Sequence, residues 1–104
     1  MKDLKGSQKK YLRGLAHNLN PSAFIGQKGL TDALIEEIDN ALEAAELIKV
    51  KFNDFKDKEN KNSLTSKIAK ATQSHIAGMI GHVVILYRPC KEQEKQKIKL
   101  PLKE

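Results

Sequence analysis

Gly26-Gln27-Lys28-Gly29 is the stretch whose residue types and spacing best suit contact with a ligand. The chain has six glycines, and two of them stand three apart around a lysine, just ahead of a helical pattern that opens at Thr31. The first N–H groups of a helix lack internal partners and carry the positive end of its dipole. An anion fits there. Glycines remove side chains, so a backbone can come close, and Lys28 adds a charge. The chemistry predicted is contact with a phosphate, including one in a nucleic-acid backbone. The alternative is a plain strand-to-helix turn in which Gly29 serves conformation alone. Leu30 and Thr31 after Gly29 exclude a Walker loop, and the longer dinucleotide fingerprint is absent.

Other reactive residue types lack the spacing their chemistry needs. His75 and His82 are seven apart and Cys90 follows by eight, with His17 far upstream, so no paired-ligand pattern for zinc exists. Carboxylates spread around the outer face of a helix suit a solvated surface, because a catalytic pair needs a pocket that shifts its pKa values. Ser7, Ser63, Ser66 and Ser74 lie in no nucleophile elbow. No enzyme, metal or cofactor is expected.

The elements that must hold the loop follow from periodicity. Ser7 is a good N-cap, and Tyr11, Leu12, Leu15, Ala16 and Leu19 recur at helical spacing until Pro21. Gly14 weakens that helix unless something packs on it. Ala23–Ile25 reads as a short buried strand. Thr31 caps a second helix with Leu34, Ile35, Ile38, Ala41, Leu42 and Ala45 inward. From Glu46 to Asn53 the pattern alternates, with Ile48, Val50 and Phe52 on one face and Leu47, Lys49 and Lys51 on the other. Residues 54–62 read as a polar connector, and a third helix is predicted near Ser63–Thr72. Ser74–Ile80 and Val83–Arg88 form strands around a tight Gly81-His82 turn. The predicted fold is α/β, a two-layer sandwich in the order α-β-α-β-α-β-β with a four-stranded mixed sheet. One domain is expected, with an ordered core over about 7–88 and a charged tail over 89–104, where Ile98 and Leu100 add at most a marginal edge contact.

Charge is unevenly placed. The net charge is +6, yet residues 31–46 hold six acids and no base, which leaves +12 for the rest. Such polarity predicts an oriented polyanionic partner. Lys9, Lys10 and Arg13 are candidates for phosphates beside the loop; Lys49 and Lys51 line the open face of a strand; Arg88 could pair with or stack on RNA. Each also has a structural reading, as a solvated face or a charge guarding a sheet. Five aromatics without Trp make no broad stacking platform, which favours backbone or shape recognition. The N-terminus lacks the apolar core of a secretory signal, no apolar run reaches membrane-spanning length, and one cysteine forms no internal disulfide. A cytoplasmic monomer is expected.

The segments KKYLRGLAHNLNPSAFIGQKGLTDALIEEIDNALEAAELIKVKF, MIGHVVILYRP and KIKLP together closely resemble the YhbY-like CRM family, named for chloroplast RNA splicing and ribosome maturation, from about Ser7 to Pro101. The resemblance implies a fold like the C-terminal domain of translation initiation factor three. It implies RNA binding through a GxxG loop likened to that of KH domains, here Gly26, Gln27, Lys28 and Gly29. It further implies association with the precursor of the large ribosomal subunit, with ribosomal RNA as partner. Gln73 departs from the glycine that relatives often carry after the third helix, which puts the turn geometry there in question. Two other classes stay open: an adaptor whose acidic helix docks basic ribosomal proteins, and a small phosphate-ligand binder using the same loop.

Overall fold

In the computed structural model, which describes residues 4–100, three helices and four strands follow the expected order. They are α1 (Gly6–Ala16), β1 (Ala23–Ile25), α2 (Asp32–Ala45), β2 (Leu47–Phe52), α3 (Lys58–Thr72), β3 (His75–Ile80) and β4 (Val83–Tyr87), with a short 3-10 turn at Gln93–Lys95. The sheet runs β1-β2-β4-β3. β1 and β2 are parallel, and the other neighbouring pairs are antiparallel. The fold is a mixed α/β sandwich. No helix among the described residues is long and apolar enough to cross a membrane.

Strand alternation decides what each face of the sheet meets. Ala23, Ile25, Ile48, Val50, Phe52, Val84 and Leu86 pack against Leu34, Ile38 and Leu42 of α2 and Ile68 of α3. Leu47, Ala77, Ile85 and Tyr87, on the opposite face, are covered by Leu12 and Ala16 of α1. Each buried Val, Leu, Ile or Phe side chain contributes about 2 kcal/mol of hydrophobic stabilisation, and each alanine less. Arg13 ties α1 to β3. Its Nη1 donates to the Ala77 carbonyl at 3.2 Å, and its stem crosses Gly78, where a Cβ would lie 2.6 Å from the Arg13 Cδ.

Two helix starts differ from expectation. α1 starts at Gly6, because the Lys5 N–H is met by the Gln8 side chain at 3.0 Å, and Ser7 lies inside the helix. α3 starts at Lys58, five residues early: Asp57 caps it by accepting from the Asn60 N–H at 3.1 Å and the Asn60 side chain at 2.7 Å. Its first turns are polar and project into water, so no apolar period marks them. Gln73 keeps the turn after α3 by adopting the left-handed conformation, φ 52°, that glycine would take without strain.

The tail is more than a charged extension. Its residues 101–104 lie outside the described residues, but Ile98 and Leu100 pack on the α1 core, beside Leu4. The buried Glu46, itself at φ 66°, accepts from the N–H groups of Cys90 (2.7 Å), Lys97 (2.6 Å) and Ile98 (3.0 Å). Lys97 also caps α2 by donating to the Ala44 carbonyl.

Candidate nucleic-acid interface

Residues 26–29 form a β-turn closed by the Gly29 N–H donating to the Gly26 carbonyl at 2.9 Å. Gln27 and Lys28 stand exposed at its tip. The base of the turn is fastened to β2, because the Ile25 carbonyl accepts from both Asn53 and Asp54. At the mouth of α2 the Thr31 hydroxyl accepts from the Leu34 N–H at 3.1 Å. Asp32 adds a carboxylate in the first turn. The helix start has thus met part of its own demand for negative charge, and the turn tip is the more open place for a phosphate.

The two glycines are not equivalent. Gly29 sits at φ +67°, and the Phe55 ring lies 3.5 Å from where its Cβ would be. Phe55 itself adopts φ 56°, a rare conformation for an aromatic residue. Gly26 has no positive φ, and a Cβ there would meet only the Asp54 carboxylate at 4.0 Å. The fold explains Gly29. Nothing inside the molecule demands a glycine at 26.

The basic candidates divide into separate groups. Lys28 is at the turn tip, and Lys51 lies exposed on β2 at the same end of the sheet; neither has an ion-pair partner among the described residues. Lys49 is half-buried and donates to the carbonyls of His17 (3.3 Å) and Leu19 (3.0 Å), satisfying the end of α1. Lys9, Lys10 and Arg13 ride on α1, over the face opposite α2. Lys10 is exposed, and Arg13 spends one donor on Ala77. Arg88 lies elsewhere. Register puts β4 residue Tyr87 opposite Leu47 and Val83 opposite Lys51, so Arg88 is at the far end of the sheet from the turn. Its guanidinium donates to Asp39, to Glu43 (3.1 Å) and to the Thr72 and Asp39 carbonyls. Arg88, a candidate for RNA from the sequence, thus has internal partners: the acids of α2 hold it, from a sequence distance that no local pattern reveals.

Other residues join the loop end. Gly81 opens a two-residue hairpin turn at φ +60°. Lys61 reaches it from α3, donating to the Gly81 carbonyl at 2.8 Å and lying 3.3 Å from the His82 Nδ1. Desolvation, and then Lys61, Lys56 and Lys51, hold the His82 pKa below the ordinary histidine value. Three lysines therefore share this corner with the histidine. Phe24, read from sequence as part of a buried strand, is 50% exposed, because only Ala23 and Ile25 of β1 face α2. The strict alternation of a strand was the signal available for it.

Comparison with known proteins agrees with this architecture. A protein of Haemophilus influenzae named "RNA-binding protein" is 44% identical over 103 residues, covering 99% of this chain and all of that one. "Probable RNA-binding protein YqeI" of Bacillus subtilis is 39% identical, covering 94% of this chain and 99% of its own. The solution structure of the hypothetical protein SAV1595 from Staphylococcus aureus has a TM-score of 0.80 at 40% identity, covering 94% of this chain and 99% of that one. The family model described as CRS1 / YhbY (CRM) domain matches residues 4–88, a span that contains every helix and strand named above, and the chain belongs to that family.

Proposed function

We propose that this protein binds structured ribosomal RNA, with the Gly26–Gly29 turn against the RNA backbone, and that it acts in the cytoplasm in maturation of the large ribosomal subunit. The observation that carries the contact is Gly26. It is a glycine without an internal reason, beside an exposed lysine, at an end of the sheet where cations lack acid partners. Close approach by an external backbone supplies the reason, and phosphate complements the charge. The names of the relatives support RNA as the partner, and the ribosomal assignment follows the family resemblance. Lys28, Gln27 and Lys51 are the nearest contacts, with Lys9, Lys10 and the remaining donors of Arg13 as an outer set.

No carboxylate pair, nucleophile or metal cluster enters this reading; the work is binding. Sedimentation of a gently prepared extract tests it. The protein should travel with large-subunit or pre-large-subunit particles at low salt and leave them as salt rises. Recovery only in free or small-subunit fractions during active growth would sink the ribosomal part of the proposal.

A further inference from the structure

Three rows of side chains cross the sheet on the face that carries α1. The first is Leu47–Tyr87–His75, the second Lys49–Ile85–Gly78 and the third Phe24–Lys51–Val83–Ile80. α1 closes over the first two, with Leu12 and Ala16 on Leu47, Tyr87 and Ile85 and with Arg13 across Gly78. The third row is left open. Phe24 is 50% exposed, Ile80 is 60% exposed, Lys51 is exposed and Val83 is half-buried. At about 4.8 Å between strands the row is roughly 14 Å long. It is the last row before the Gly26–Gly29 turn, so it lies between that turn and α1.

We propose that this row is a nucleobase-binding strip, in which an unpaired base of the RNA held by the turn stacks on the Phe24 ring and Lys51 takes the adjoining phosphate. The proposal rests on the RNA reading above and adds a site to it. An aromatic face accepts any base, because every base has a π-face. Lys51 is directly across the strand pair from Phe24, with Cβ atoms about 5 Å apart. Charge on this corner favours a nucleotide over an apolar protein segment. Lys51, Lys56 and Lys61 surround His82, Lys28 is at the adjacent turn, and Asp54 beside Gly26 opposes them. Val83 and Ile80 extend the apolar part of the strip beyond one ring. Sequence-level counting of aromatics finds no broad platform; a single ring at the edge of a phosphate-type turn suffices for one unpaired base.

The test uses the full chain and three probes: a mixed-sequence single-stranded RNA octamer, an abasic ribose-phosphate oligomer of equal length, and a blunt RNA duplex. Binding is followed by fluorescence anisotropy over a range of salt. Phe24→Ala should weaken octamer binding roughly tenfold, leave the abasic oligomer and the duplex unchanged, and keep the salt slope. Phe24→Val, which preserves strand propensity but has no ring, should behave alike, and Phe24→Tyr should bind as the parent does. Octamer affinity equal to the parent's in folded Phe24→Ala and Phe24→Val overturns the strip, as does an equal loss on the abasic oligomer. If Lys28→Ala lowers the salt slope while Phe24→Ala changes nothing, RNA binding stands and the strip falls. A parent that binds none of the three probes defeats both.

Discussion

Arg88, just past the end of β4, and Lys51, on the neighbouring strand β2, are basic residues that meet opposite electrical surroundings. Arg88 is enclosed by Asp39, Glu43 and two carbonyls, and nearby Glu46 is consumed by three tail N–H groups. Lys51, with Lys28 at the neighbouring turn, has no acid partner among the described residues. The difference separates charges that serve the architecture from charges the fold leaves unpaired by acid among the described residues. A charge with internal partners holds the molecule together, whereas an unpaired cation beside an unconstrained glycine is available to something outside.

The largest effect should come from the satisfied end. Glu46→Ala strands three N–H groups and frees the segment that carries Ile98 and Leu100, at a cost of roughly 3 kcal/mol. Urea unfolding should show the loss, hydrogen exchange should speed at Cys90, Lys97 and Ile98, and the folded fraction should bind RNA as the parent does. Loss of RNA binding by a folded Glu46→Ala protein would break the comparison. Arg88→Ala should cost about 1 kcal/mol, mainly because the Thr72 and Asp39 carbonyls lose a donor while water screens the exposed Asp39 and Glu43 carboxylates, without altering the salt slope of RNA binding. Lys28→Ala should do the reverse, lowering that slope by about one with little change in the unfolding midpoint.

The glycine pair sharpens the contrast within a single turn. Gly29→Ala should lose about 1 kcal/mol in a thermal melt, since its φ suits glycine. Gly26→Ala should change stability by less than about 0.5 kcal/mol and yet weaken RNA binding several-fold. If both act only on stability, the turn is structural.

The smallest effect concerns His82. Its folded pKa lies below the ordinary histidine value, so the unfolded chain takes up the proton first. Stability is therefore intact above the ordinary value and declines as pH falls through it. Phosphate on the surrounding lysines reverses that bias, so RNA affinity should rise slightly from pH 7.5 to 5.5. His82→Gln should flatten both profiles, measured by melting and by titration.

The order of the elements, the alternation of β2 and the Gly81-His82 hairpin were legible because each has a local cause: a period, a cap or a turn residue. The loop was legible as a turn ahead of a capped helix for the same reason. Residues whose meaning depends on distant partners were not. Arg88 looks like any exposed cation until Asp39, 49 positions away, is folded against it. Glu46 reads as one more acid on a polar helix face until its tail partners arrive. Alternation sets Phe24 on the face opposite Ala23 and Ile25, but whether that face is covered depends on where α1 lies, which nothing local shows. Gly14, a weak point of α1 by propensity, has open space where a Cβ would stand, with nothing within 4 Å, so packing does not explain it.

The crossing of Arg13 over Gly78 carries a consequence for descent as well as for packing. The two positions share one volume, and the bond from Arg13 to neighbouring Ala77 spans 64 residues of sequence. They therefore cannot drift independently. In a lineage that acquires a side chain at 78, the arginine at 13 must already have shortened or must swing away, surrendering its bond to β3. The order of such substitutions is constrained: residue 13 changes first or together with its partner. Covariation between these columns, across proteins that share the fold, would be the historical trace of a contact that neither residue announces alone.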